Sequence, residues 1–287
     1  MQVGHSTNAD ARTGCTVIRF TEGVVASGEV RGGAPATREF ALLEPTRLVS
    51  SIDAVCLSGG SAFGLGAADG VARSLHASGV GFETTHGVVP IVVAMSLYDL
   101  GVGDSASFPD ATSGADALEA CRSEFAVGQV GAGTGATIGK WRGADAATPG
   151  GIGFAVATKG DVQVAALIAV NAIGEVQRTG EPVSAAIVSG SFEWPETESP
   201  LGENTSIGLL ATNAEIADGT TKAHCRTLAE AGHDGLARAL LPAHGPGDGD
   251  ALVAVAKPEV EIDLASARIL AAAAVEHAVR SLATERS

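Results

Sequence analysis

The hydrophobic pattern changes period several times along the chain. In GCTVIRFTEGVVASGEV (14–30) apolar residues flank a turn signal at Glu22-Gly23, which predicts two short strands. RGGAPATREFALLEP (31–45) is broken by Gly, Pro and charge and reads as a loop. DAVCLSGGSAFGLGAADGVARSLHASG (53–79) reads as a strand, a Gly-rich turn and a helix. Leu65, Ala68, Val71, Ala72 and Leu75 recur there at helical spacing, with Ser61 as the expected N-cap. VVPIVVAMSLYDLG (88–101) predicts a buried strand, and DATSGADALEACRSE (110–124) a helix behind an Asp or Ser N-cap.

The middle of the chain is richest in strand formers, in FAVGQVGAGTGAT (125–137) and GIGFAVATKGDVQVAALIAVNAIGEV (151–176), with a hairpin turn at Lys159-Gly160-Asp161. After a polar loop at 181–203 come a strand from Thr205, helices near 217–231 and 234–241, a turn and strand in GDGDALVAVAK (247–257), and an Ala-rich helix over 263–285. Alternating strands and helices, with hairpins dominating the middle, predict a layered α+β sandwich whose helices cover the sheets. The run at 181–203 is the one obvious break, and the 84 residues beyond Glu203 hold too few elements to fold alone, so 1–287 reads as a single domain.

Composition narrows this picture. With 45% hydrophobic residues and a mean hydropathy of +0.24, 287 residues bury a large core. Glycine is abundant (38) and aromatics scarce (4%), which suits layers in close contact. Eighteen Lys and Arg against 33 Asp and Glu give a net charge of −15, with no basic run, which argues against nucleic acid. Cys15, Cys56, Cys121 and Cys225 are too scattered for a zinc site and read as free thiols of a reducing compartment. The N-terminal MQVGHSTNADARTG has no apolar core of signal-peptide length and no run approaches a membrane span, so the expectation is a cytoplasmic protein without membrane contact.

Several short motifs fall away. GAGTGA (131–136) matches a dinucleotide fingerprint, but the sequence after it is too rich in Gly and Pro for the required helix. TGATIGK (134–140) has Thr where a P-loop needs its first Gly, and Trp141 where it needs Ser or Thr. GGSAFG (59–64) lacks the second Gly of a nucleophile elbow, and no HExxH pair occurs among the seven histidines. Three features remain: the i, i+2 carboxylates Asp248 and Asp250, the amide of Asn171 inside an apolar run, and Lys140 beside Trp141. A fourth is the abrupt junction at Asn204, where a Pro- and acid-rich run meets the hydroxyl pair Thr205 and Ser206 at the mouth of a strand.

Taken together, HSTNADARTGCTVI, EVRGGAPATRE, LSGGSAFGLGAADGV, VGAGTGATIGK, AVNAIGEV, NTSIGLLATNA and DGDALVAVA resemble, in family order from about residue 5 to 257, a family of self-processing amidohydrolases. It includes D-aminopeptidase/esterases, β-aminopeptidases and nylon-oligomer hydrolases. The resemblance implies a four-layer αββα sandwich made as one chain and cut before a Thr or Ser. Here the cut would fall between Asn204 and Thr205, leaving a large segment of 1–204 and a small one of 205–287 that begins with the nucleophile. It implies that Asn171 donates toward the developing oxyanion, that Lys140 holds or polarises groups around Thr205, and that Asp248 and Asp250 orient the nucleophile and its amine. Tyr98 falls near a family tyrosine and is a substrate-binding candidate. The implied substrate is a small peptide or amide with a primary amine on its acyl side, the implied assembly a homo-oligomer, a tetramer of processed protomers, and no metal or organic cofactor is needed. An acyltransferase of similar architecture and a binding protein that kept the fold are the alternatives.

Overall fold

The computed structural model describes residues 1–177, 183–194, 203–216 and 219–284. The strands used below are β1 (Gln2–Asn8), β2 (Thr13–Val30), β3 (Ala36–Arg38), β4 (Ser51–Ser58), β5 (Val92–Ser96), β6 (Gly151–Lys159), β7 (Val162–Asn171), β8 (Thr205–Ile216) and β9 (Ala251–Ile262). The helices are α1 (Ala67–Ala77), α2 (Ala111–Glu119), α3 (Lys222–Ala239) and α4 (Leu264–Thr284). Among the described residues the nine strands form one sheet in the order β6-β7-β8-β9-β2-β4-β5-β3, with β1 also on β2. The pairs β8–β9 and β4–β5 are parallel, with α3 and α1 lying between their strands in sequence, and the other neighbours are antiparallel.

Period-two burial turns this sheet into a four-layer α+β sandwich. In β7, β8 and β9, Ile168, Leu210 and Leu252 pack with Leu228, Leu236, Ala271 and Val275 of α3 and α4. Their neighbours Leu167, Leu209 and Val253 face the other way and meet Ile18, Val55, Leu57, Val93 and Met95 from β2, β4 and β5. The outer residues Val17, Ala54, Cys56 and Ala94 of that second half pack against Ala68, Val71 and Leu75 of α1 and Ala117 and Leu118 of α2. The two inner layers are thus halves of one continuous sheet, joined through the long β2. Each fully buried Leu or Ile contributes roughly 2 kcal/mol by leaving water.

Several predicted elements are corrected. The two strands expected around Glu22-Gly23 are one, because a register shift between Arg19 and Val24 absorbs the turn signal as an irregularity within β2. The expected loop at 31–45 contains β3 and a 3-10 turn at Phe40–Leu43. The strand-like 125–137 contains a 3-10 turn at Gly131–Gly133 instead, and no helix follows it to support a nucleotide. Ser61 is not the N-cap of α1, where Gly66 stands; it opens a separate helical turn, Ser61–Gly64, capped by Gly60 in the left-handed region, whose amide donates to Asp99.

The helices expected near 217–231 and 234–241 are the single α3, apart from 217–218, which lie outside the described residues. Its glycines allow close approach, not a break. A Cβ at Gly235 would stand 2.4 Å from the Ala272 carbonyl oxygen of α4. Of the polar run at 181–203, Val183–Ser189 is helical, and 181–182 and 195–202 lie outside the described residues. The hairpin at Gly160-Asp161, the Asp110 capping box of α2 and the Ala-rich α4 are as expected.

Candidate active site

The ends of β7, β8 and β9 meet at one edge of the sandwich. Thr205 opens β8 and pairs with Asn171, the last residue of β7. Alternation gives both the parity of Leu167 and Leu209, so they stand at the mouth of the inner layer, whereas Ser206 shares the helix-side parity of Leu210. The Asn204–Thr205 junction is buried, with Asn204 at 0% and Thr205 at 4% exposure. The Thr205 hydroxyl donates to the Asn204 carbonyl oxygen, and the Gly249 amide donates to that same oxygen at 2.9 Å.

Gly249 is required by this contact: a Cβ there would lie 2.4 Å from the Ala34 carbonyl oxygen and 3.0 Å from Thr205 Oγ1. The turn carrying it is pinned from the RGGAP loop, where Ala34 N donates to the Asp248 carbonyl (2.9 Å) and Arg31 N to the Asp250 carbonyl (2.7 Å).

Asn171 is a fully satisfied hub. Its Oδ1 accepts from Thr137 N (2.9 Å) and Lys140 Nζ (3.0 Å), and its Nδ2 donates to the Tyr98 carbonyl (2.7 Å) and the Glu203 carbonyl (3.3 Å). Lys140 Nζ also reaches the Asn171 carbonyl (3.1 Å) and the Glu203 carbonyl (3.3 Å). Two donors therefore grip the carbonyl one residue ahead of the junction and fix how the chain enters β8. Burial pushes the Lys140 pKa down to about 8, against the pull of Asp248 and Glu203. Tyr98 contributes its backbone oxygen to the hub, while its side chain is half-buried.

The two carboxylates do different things. Asp250 Oδ1 accepts from the Ser206 amide at 2.6 Å, and its Oδ2 meets His244 Nδ1 at 2.7 Å, so it braces the backbone behind Thr205. Asp248 lies beside Asn204 and accepts from Gly245 N at 2.7 Å through Oδ2, while its Oδ1 is buried and meets no donor in hydrogen-bond geometry. Burial, reinforced by the Asp250 charge, lifts the Asp248 pKa to about 6; the Gly245 and Ile173 amides and His244 pull the other way.

The native Asp248 carboxyl thus binds its proton more tightly than the unfolded chain does. Its contribution to stability is present below the ordinary carboxylate value near pH 4 and is lost as pH rises through about 6, a term of no more than about 3 kcal/mol. In uncut Thr205→Ala protein, adding Asp248→Asn is expected to remove that slope and to raise stability near pH 8. Urea unfolding at about pH 4 and about pH 8 measures it; an unchanged difference between the two would contradict the buried, unpaired reading of Asp248.

All five predicted catalytic positions, Thr205, Asn171, Lys140, Asp248 and Asp250, converge here with Asn204, and Tyr98 adjoins through its main chain. Sequence reasoning missed His244, the Gly249 amide and the Glu203 carbonyl. The signal for His244 was its place in HGPGDGD (244–250), where Gly and Pro allow the chain to fold back on itself. Among the described residues no group of three or more His, Cys, Asp or Glu could hold a metal, and no helix is long and apolar enough to cross a membrane.

The model of peptidase family S58 matches residues 1–285. An uncharacterised aminopeptidase of Mycobacterium tuberculosis is 41% identical over 289 residues, covering 91% of this chain and 80% of its own. A 6-aminohexanoate-oligomer endohydrolase of Paenarthrobacter ureafaciens is 28% identical, covering 91% and 74%. Among solved structures, the L-aminopeptidase D-Ala-esterase/amidase of Ochrobactrum anthropi, a variant of the Ntn-hydrolase fold, superposes with a TM-score of 0.73 at 20% identity over 98% of this chain and 83% of that one. A β-aminopeptidase of Burkholderia sp. gives 0.72 at 21%, over 98% and 83%. The chain therefore belongs to peptidase family S58, is a hydrolase of the peptidase class, and shares the Ntn-hydrolase fold of these structures.

Proposed function

We propose that this chain is a self-processing aminopeptidase/amidase in which Thr205 first cuts the Asn204–Thr205 bond and then serves as the N-terminal nucleophile of the segment 205–287. The observation that carries this reading is the buried junction itself, where the Thr205 hydroxyl and the Gly249 amide meet on the Asn204 carbonyl oxygen. Attack of Oγ1 on the Asn204 carbon transfers the hydroxyl proton to the leaving Thr205 nitrogen and forms an ester. Negative charge developing on the oxygen falls on the Gly249 N–H. That shift frees the Thr205 α-amine, which titrates near pH 8 and can take the hydroxyl proton during turnover; water then hydrolyses the ester, releasing the Asn204 carboxylate and restoring the hydroxyl. In turnover Oγ1 attacks the substrate carbonyl, the amine product leaves, and water releases the acyl group.

The substrate reading is an amide with a free primary amine on its acyl part, supported by the acidic Asp248 beside the nucleophile and by the aminopeptidase relatives. The same reading takes the protein as cytoplasmic and as a homo-oligomer of processed single-domain protomers. The test compares p-nitroanilides of α-, β- and ω-amino acids with their N-acetyl counterparts, with and without an added amine. Release from the free-amine set alone is expected. Equal release from the acetylated set would contradict the amine requirement, and a predominant aminolysis product would make the protein an acyltransferase.

A further inference from the structure

On the helix side of the nucleophile strand, His244 stands with φ 56° and its ring wedged between two oxygens. Nδ1 lies 2.7 Å from Asp250 Oδ2, and Nε2 lies 3.2 Å from the His233 carbonyl oxygen. Both partners are acceptors. A neutral imidazole has one N–H and can serve only one of them, whereas the imidazolium donates to both. His233 takes the opposite part. Its ring lies edge-on with centroids 4.9 Å apart, its Nε2 is 3.0 Å from the Glu29 carbonyl, and burial pushes its pKa down to about 3, so it stays neutral beside His244. Asp250 passes the restraint on, because its other oxygen holds the amide of Ser206, the residue bonded to Thr205.

We propose that His244 is a positioning residue for the reaction at Thr205: clamped between Asp250 and the His233 carbonyl, it fixes the carboxylate that holds the Ser206 amide and so sets where the nucleophile stands. Misplacement of reacting atoms by a fraction of a bond length is costly in rate, which is why a residue two contacts away can matter. The groups acting on His244 are Asp250 and Asp248 from its own turn, His233 from α3 and Arg31 from the end of β2. Burial and Arg31 disfavour the imidazolium, but Asp250 outweighs them and the His244 pKa is raised. The clamp is therefore complete below the ordinary histidine value near 6.5 and loses one of its two hydrogen bonds as pH rises through the higher native value.

This rests on Thr205 being the nucleophile, so the test carries Thr205→Ala beside the His244 variants. His244→Ala is expected to slow processing and lower kcat about thirtyfold with KM changed less than about threefold. His244→Asn tolerates the left-handed backbone and offers a donor to Asp250 without a charge. It is expected to recover kcat to within about fivefold of wild type and to lack the alkaline fall in kcat expected of the wild type. Wild-type kcat and alkaline limb in His244→Ala, with Thr205→Ala inactive, would overturn the role of His244 alone. An active Thr205→Ala would overturn the nucleophile instead. If His244→Ala does not fold, His244→Asn decides: a wild-type alkaline limb in that variant contradicts the proposal.

Discussion

Thr205→Ala is expected to give one intact chain of 287 residues without hydrolytic activity. The variant keeps the β8 pairing and the Gly249 contact to the Asn204 carbonyl but has no oxygen to attack with. Loss of the nucleophile removes both the cut and the covalent route, a fall in kcat on the order of four to six decades. Thr205→Ser should still process, since it keeps the hydroxyl, with a rate altered by its freer χ1. Ser206→Ala is the control that separates the adjacent hydroxyls. Strand alternation turns Ser206 toward the helix layer, away from the site mouth, so this variant should process and turn over within a few-fold of wild type. An uncut Ser206→Ala beside a cut Thr205→Ala would transfer the role to Ser206.

The second large effect belongs to Asn171. Its side-chain hydrogen bonds join β7 to the amide and hydroxyl of Thr137, to Lys140 and to the carbonyls of Tyr98 and Glu203. Asn171→Ala leaves the Thr137 N–H and the Tyr98 oxygen unpartnered and takes one acceptor from a lysine that burial already disfavours in its charged form. A loss of roughly 3 kcal/mol in stability is expected, at about 1–3 kcal/mol for each orphaned buried group. With one of the two grips on Glu203 gone, the entry of the chain into β8 loosens, and self-processing should slow by at least about a hundredfold. Thermal unfolding of uncut Thr205→Ala with and without the change measures the first effect, and a processing time course by gel measures the second. Wild-type values in both would remove Asn171 from the account.

How much of this was readable beforehand differs from element to element. Helix α2 was legible because its cap chemistry is local: Asp110 and Ser113 satisfy each other's backbone within four residues. The β6–β7 hairpin was legible for the same reason, through Gly160 in the left-handed region. Helix α3 was misread as two, because its Gly235 answers the close approach of Ala272, far along the chain and invisible to any local window. β2 was misread for a related reason: both flanks of its irregularity are paired by β4, so partner strands override the turn signal.

At the site, the chemistry-bearing residues stood out as polar positions in apolar or Gly-rich surroundings, and the family pattern linked them. Their division of labour was not legible. The i, i+2 spacing of Asp248 and Asp250 suggested two carboxylates on one target. The fold sends Asp250 behind the strand to Ser206 and His244 and leaves Asp248 beside Asn204. The Gly249 amide, being main chain, leaves no trace in residue type except the absence of a side chain.

The most direct test is denaturing mass spectrometry of freshly purified wild-type protein, with N-terminal sequencing of the smaller species. Two chains are expected, 1–204 and 205–287, the second beginning Thr-Ser-Ile-Gly-Leu. A fully active wild-type protein that remains one uncut chain, or a small chain that begins at any residue other than Thr205, would contradict the account.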